Sequence, residues 1–110
     1  MDLEQKTADG YTVLALQGKL NLVAASPLKA RIDELVREGR SRSIVDLAGV
    51  GFVDSSGLGA LIGGLKAARQ AGGDVRIAGP GEQVRAVLRL TNLDRILSPF
   101  DTVEEASRGW

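Results

Sequence analysis

The hexapeptide Asp54–Gly59, with the sequence DSSGLG, joins an apolar segment to a glycine-rich one and decides how the chain folds. The segment before it, Ser43–Val53, is rich in β-branched residues and glycine, a composition typical of a strand rather than a helix. Aspartate and serine have short side chains that accept hydrogen bonds from the free N–H groups in the first turn of a helix. The hexapeptide therefore predicts a strand-to-helix turn with small hydroxyls at the helix N-terminus.

Strands and helices alternate along the rest of the chain. Two strands, near Leu3–Thr7 and at Tyr11–Leu16, flank an Asp-Gly turn and are predicted to pair as a hairpin. Further strands are predicted at Ser43–Leu47, at Asp74–Ala78 and near Ile96–Leu97. This alternation favours a mainly parallel sheet with right-handed crossover helices.

The helices are predicted from capping residues and apolar spacing. In the first helix we expect Ser26 as the N-cap, Pro27 as the first helical residue and Gly39 at the end. The second helix follows the hexapeptide, the third contains Val84–Leu88 and the last begins near Asp101. The expected fold is α/β, a single domain over residues 1–110 with a mixed, mainly parallel sheet of four to five strands packed with four to five helices.

The composition excludes several classes of function. Of the 110 residues, fourteen are basic and fourteen acidic, so no net charge draws the chain to nucleic acid or to an anionic membrane. The chain has no cysteine and no histidine, which excludes a zinc site and a Ser-His-Asp triad. No apolar leader or stretch of about 20 apolar residues occurs. We therefore expect a cytoplasmic protein with no direct nucleic-acid binding, no membrane insertion and no metal site.

A phosphate-binding loop is the main rival interpretation of a glycine- and serine-rich turn. Ile62 stands where a dinucleotide fingerprint needs its third small residue, and no Gly-Lys-Ser or Gly-Lys-Thr of a P-loop is present. The adjacent carboxylates Glu104 and Glu105 lie on the predicted terminal helix, where a solvated face explains them better than acid–base catalysis. We therefore predict no cofactor.

Three motifs in this order of elements resemble the STAS domain of anti-sigma-factor antagonists. They are Gly18–Asn21 (GKLN), Asp54–Gly59 and Ala71–Asp74 (AGGD). The resemblance implies the STAS fold and an anti-sigma factor antagonist that regulates sigma-factor-dependent transcription. Its partner would be an anti-sigma factor that is also a serine kinase of histidine-kinase-like fold. The serine after the aspartate, Ser55, would be the residue that this partner phosphorylates to switch the complex off, so the chain would be a substrate and not an enzyme.

The resemblance also implies a docking surface, because the family binds its kinase through the loop and helix around the acceptor serine. Glycines at positions 59, 63 and 64 each cost a helix about 1 kcal/mol relative to alanine, which calls for an explanation. Close approach of a partner backbone and close packing inside the domain both remain open. The predicted partner-binding residues are Asn21, Asp54, Ser55, Ser56, Gly57, Leu58, Gly59 and Gly63.

One departure from the family pattern concerns the loop near the acceptor. Family members often have acidic residues there, including an aspartate close to the serine, whereas this chain has Lys19 and Asn21. An amide keeps the hydrogen-bonding shape of a carboxylate and loses its charge. The alternative function is therefore a STAS module that is not phosphorylated, acting as a scaffold or as the cytoplasmic subunit of a lipid-transport ABC complex.

Overall fold

A five-stranded sheet forms the centre of the domain in the computed structural model, which describes residues 2–97 and 99–110. The first strand runs antiparallel to the second, and all other neighbours are parallel, which confirms the predicted mixed, mainly parallel sheet. The strands lie side by side in chain order: β1 (Asp2–Thr7), β2 (Thr12–Leu20), β3 (Arg42–Val53), β4 (Asp74–Ala78) and β5 (Pro99–Phe100).

Helices cover both faces of the sheet. Over the described residues they are α1 (Leu22–Arg37), α2 (Ser55–Gln70), α3 (Glu82–Leu90) and α4 (Val103–Ala106), with a short 3₁₀ helix at Leu93–Arg95. The main hydrophobic core contains apolar side chains of α1, α2 and α3 packed on one sheet face. A smaller cluster around Ala106 of α4 covers part of the other face. The predicted α/β fold is confirmed.

Two β-bulges lengthen β3 relative to β2. They fall between Asp46 and Gly49 and between Val50 and Phe52, and each adds one residue to β3. At the first bulge a carboxylate oxygen of Asp46 accepts a hydrogen bond from the Ala48 N–H at 3.0 Å. Buried residues still lie opposite each other before and after the bulges: Val45 pairs with Leu14, and Val53 pairs with Leu20.

The predicted start of α1 is wrong by more than one turn. The helix begins at Leu22, and its N-cap is Asn21 rather than Ser26, so Pro27 lies inside the helix. A proline there leaves the carbonyl four residues earlier, on Val23, without its helical donor. Pro27 and Val23 are both exposed, so water reaches this part of the helix and the cost of the proline stays low. Gly39 follows the end of α1 as predicted, with a positive φ of 81°.

The last predicted strand is also misplaced. The N–H groups of Ile96 and Leu97 both donate to the Leu93 carbonyl, at 3.0 and 2.8 Å, so these residues continue a helical turn. The strand forms instead at Pro99–Phe100, beside β4. Leu97 is fully buried, and its apolar character reflects core packing rather than a strand.

The three glycines of α2 differ in their surroundings. A β-carbon at Gly64 would lie 2.7 Å from Ile32 Cδ1 of α1, and one at Gly63 would lie 2.8 Å from Lys29 Cε. A β-carbon at Gly59 would meet nothing within 4 Å. Close packing of α1 on α2 therefore explains Gly64, so the second of the two explanations left open by the sequence applies to that residue.

This difference predicts opposite effects of the same substitution on stability. Gly64→Leu should lower the free energy of unfolding by about 1–3 kcal/mol, because the side chain overlaps Ile32. Gly59→Leu should leave it unchanged or raise it by up to ~1 kcal/mol, because leucine favours a helix and the site is open. Urea unfolding of both variants measures the difference. Equal stabilities would contradict the packing role of Gly64.

Candidate functional site at the carboxyl edge of the sheet

The ends of β2 and β3 bring two predicted motifs together. Leu20 pairs with Val53 in the last register position, and the Asp54 N–H donates to the Leu20 carbonyl at 3.3 Å. Because α1 and α2 start immediately after these strand ends, their N-termini lie side by side. This edge is where ligands and partners commonly bind in parallel α/β sheets.

Each of the two helices is capped by the residue that follows its strand. Asn21 Oδ1 accepts a hydrogen bond from the Ala24 N–H at 3.3 Å, and Asp54 Oδ1 accepts one from the Gly57 N–H at 2.9 Å. The Asp54 carboxylate also lies where the dipole of α2 favours negative charge. Asp54 is therefore the N-cap of α2, and Ser55 and Ser56 are its first two helical residues.

Ser55 and Ser56 differ in their access to solvent. Ser55 is exposed, whereas Ser56 is half-buried. An exposed hydroxyl at the first helical position is open to an incoming reagent and lies next to free N–H groups of the first turn. Of the two adjacent serines, Ser55 is the more exposed residue.

Gly57 and Leu58 face the interior of the domain. A β-carbon at Gly57 would overlap the Leu20 carbonyl oxygen and lie 2.8 Å from Leu20 Cγ and 2.9 Å from Val53 Cγ2. Leu58 is 6% exposed and belongs to the main core. These residues fix the position of the turn, and their predicted contact with a partner stays a prediction, as it does for Gly59 and Gly63.

Three exposed apolar side chains near the motif are absent from the predicted site. Leu22 and Val23, in the first turn of α1, are 72% and 82% exposed, and Phe52, two residues before Asp54, is 39% exposed. Leu22 and Val23 were placed before the helix by the predicted cap at Ser26. The usable signal was Asn21, an N-cap residue directly after a strand.

Among the described residues, no group of three or more His, Cys, Asp or Glu side chains could hold a metal ion. No helix over the same residues is long and apolar enough to cross a membrane.

The sequence profile of the STAS domain matches residues 2–106. The chain belongs to the STAS domain family. Since the match covers nearly the whole chain, the motif at Asp54–Gly59 and the sheet edge are both parts of the STAS domain. The predicted family and fold are confirmed.

Several similar proteins are named as anti-sigma factor antagonists. A Thermotoga maritima protein named "Putative anti-sigma factor antagonist" is 35% identical over 102 residues, which are 92% of this chain and 90% of the relative. An "Anti-sigma F factor antagonist" of Paenibacillus polymyxa is 26% identical over 92% of this chain and 87% of its own length. A crystal structure described as "a putative anti-sigma factor antagonist" from Thermotoga maritima superimposes with a TM-score of 0.88 at 34% identity, over 94% of this chain and 90% of that one.

The contact between Gly57 and Leu20 predicts a specific cost for adding one methyl group. Gly57→Ala should lower the free energy of unfolding by about 1–3 kcal/mol, because strand β2 and helix α2 must move apart. Gly59→Ala in the same helix is the matched control and should raise stability by up to ~1 kcal/mol. Thermal and urea unfolding of the two variants test this pair, and a stabilised Gly57→Ala would refute the contact.

Proposed function

We propose that this STAS domain is an anti-sigma factor antagonist that phosphorylation of Ser55 switches off. In its unphosphorylated form the domain binds an anti-sigma factor and so regulates transcription that depends on the sigma factor. The names of the relatives support the first part of this proposal. The observation that carries the second part is the exposed hydroxyl of Ser55 at the first position of α2, directly after the capping Asp54.

The domain tolerates a phosphate at this position. Phosphorylation adds about −1.5 to −2 charges and three acceptor oxygens. The N-terminus of α2 stabilises an anion there by about 0.3–1 kcal/mol, while the neighbouring Asp54 carboxylate repels it. The two effects oppose each other, and Ser55 is exposed, so water screens the remaining repulsion. The phosphorylated domain stays folded.

A bound partner does not tolerate the phosphate. Exposed apolar side chains lie at the same edge of the sheet as Ser55: Leu22 and Val23 in the first turn of α1, and Phe52 near the end of β3. A partner that covers these side chains with apolar groups would have to remove water from a dianion without supplying its counter-charge, at a cost of several kcal/mol. Since about 1.4 kcal/mol is a tenfold change in affinity, part of this cost is enough to dissociate the complex.

The chemistry belongs to the partner in this proposal. Ser55 Oγ forms a bond to the γ-phosphorus of ATP, the bond to ADP breaks, and the hydroxyl proton passes to a base of the kinase. ATP and Mg²⁺ are held by the anti-sigma factor, a serine kinase of histidine-kinase-like fold. The STAS domain is therefore a cytoplasmic substrate and binding protein, without an enzymatic activity or direct contact with nucleic acid.

The neutral residue at position 21 is compatible with this switch. Asn21 caps α1, a role that asparagine and aspartate fill equally well, so the amide does not weaken the helix. Compared with an aspartate, it removes one negative charge from the strand end next to Asp54 and Ser55. Repulsion of a phosphate on Ser55 is correspondingly smaller. Asn21 thus favours the phosphorylated form electrostatically.

Phosphorylation should occur on Ser55 and not on Ser56. Incubation with the anti-sigma kinase of the same organism and ATP, followed by phosphopeptide mapping, should locate the phosphate on the exposed serine. Ser55→Ala should lose the label, and Ser56→Ala, a matched change one residue away, should keep it. Label retained in Ser55→Ala would refute the assignment.

The apolar side chains beside Ser55 should be needed for partner binding. Val23→Glu should weaken binding of the unphosphorylated domain to the anti-sigma factor at least about tenfold, because a charge is buried in an apolar contact. Leu90→Glu is the matched control, since Leu90 is 85% exposed and lies at the far end of α3. Calorimetric titration compares the two. Equal affinities would place the docking surface elsewhere.

A further inference from the structure

The end of β3 extends beyond its neighbour β4. Pairing of the two strands stops at Asp46 and Ala78. Within the described residues, Leu47–Val53 therefore has no strand beside it on the β4 side. Backbone N–H and C=O groups that are removed from water need other partners, and Val53, which is 2% exposed, has such groups immediately before the phosphoacceptor turn.

The side chain of Gln83, in the first turn of α3, provides these partners. The Val53 N–H donates to Gln83 Oε1 at 3.0 Å, and Gln83 Nε2 donates to the Val53 carbonyl at 3.2 Å. A carboxamide carries the same donor and acceptor as a peptide group. At Val53, the Gln83 carboxamide therefore makes the two hydrogen bonds that a neighbouring strand would otherwise make.

Val53 and Asp54 are consequently held from opposite sides. Gln83 binds both backbone groups of Val53 on the β4 side, and the Asp54 N–H donates to the Leu20 carbonyl on the β2 side. Since Asp54 caps α2 and Ser55 is the next residue, these bonds determine where the Ser55 hydroxyl lies.

Helix α3 is itself firmly placed. Val84, the residue after Gln83, is fully buried in the main core, and so is Leu88 one turn later. The Arg85 guanidinium donates to the Pro80 carbonyl at 3.0 Å and to an Asp101 carboxylate oxygen at 2.8 Å. Gln83 therefore projects from a rigid element, as a positioning residue requires.

We propose that Gln83 is the positioning residue of the phosphoacceptor turn. It does not take part in the transfer; it holds Val53, and through Val53 the capped start of α2, in the geometry that presents Ser55 to the kinase. This inference rests on the proposed function of Ser55. In-line phosphoryl transfer depends on the placement of the attacking oxygen, so a looser turn reacts more slowly.

The test uses Gln83→Met, which keeps the side-chain length and removes both hydrogen bonds. Gln70→Met, at the exposed end of α2, is the matched control. Amide hydrogen exchange is followed by NMR at Asp54 and Gly57. Their own acceptors, the Leu20 carbonyl and the Asp54 carboxylate, are unchanged by the substitution. In Gln83→Met both amides should exchange about tenfold faster or more, with buried amides of α1 unaffected.

The kinetic arm measures phosphorylation of Ser55 by the anti-sigma kinase. Gln83→Met should lower kcat/KM about tenfold or more, with Gln70→Met equal to wild type. If Gln83→Met does not fold, Gln83→Glu, which keeps an acceptor for the Val53 N–H, is measured in both arms with the same expected direction.

Two results would overturn the proposal: exchange and kcat/KM as in wild type, or a uniform loss of protection over the whole domain. A wild-type domain that the kinase does not phosphorylate would refute the proposed function alone. The exchange arm would still decide whether Gln83 orders the turn.

Discussion

The close approach of the Gly57 backbone to the Leu20 carbonyl is the constraint on which the site depends. At this point the end of β2 touches the first turn of α2, and there is no room for a side chain between them. The same carbonyl accepts the Asp54 N–H, so the strand end sets both the start and the direction of α2. Since α1 begins two residues after Leu20, the position of one peptide group determines how the two helices lie relative to each other.

The sheet topology adds an electrostatic consequence. The helices α1, α2 and α3 each follow a parallel strand, so all three begin at the same edge of the sheet. The N-terminus of a helix carries roughly half a positive charge, and capping side chains at Asn21 and Asp54 satisfy part of it. A neutral chain can therefore present a locally electropositive edge. A net charge of zero is therefore consistent with the anionic modification proposed for Ser55.

The sequence correctly predicted the elements whose ends are marked by glycine or by a capping residue. The strand Asp74–Ala78 and the turn at Asp54 agree with the structure because glycine and capping residues mark their limits. The start of α1 and the last strand were predicted wrongly, since Pro27 resembles a first helical residue and Leu97 resembles a strand residue. Water around an exposed proline and burial of a turn leucine are tertiary effects, and no short window of sequence contains them.

The residues of the candidate site were likewise predicted from the sequence only in part. The family motif led directly to the prediction of Ser55, and Asp54 followed from capping preferences. The role of Gly64 required knowledge of what Ile32 contacts. The role of Gln83, which lies thirty residues after Val53 in the chain, required knowledge of where β4 ends. Contacts between distant segments set these roles. A single sequence carries no period or spacing that indicates them.

Two surface features that are close in sequence, the exposed Phe52 side chain and the start of α2 at Ser55, depend differently on the bulge before Phe52. Phe52 lies in the segment where β3 has one residue more than β2, whereas the alignment of Val53 with Leu20 is regular. Loss of one residue at this bulge would restore regular pairing and leave Val53 facing the core, with Asp54 still at the start of α2. Phe52 can therefore change, by substitution or by a change of one residue in length at the bulge, without displacing Ser55. Under the proposed function, partner preference and phosphorylation can therefore evolve separately on the same turn.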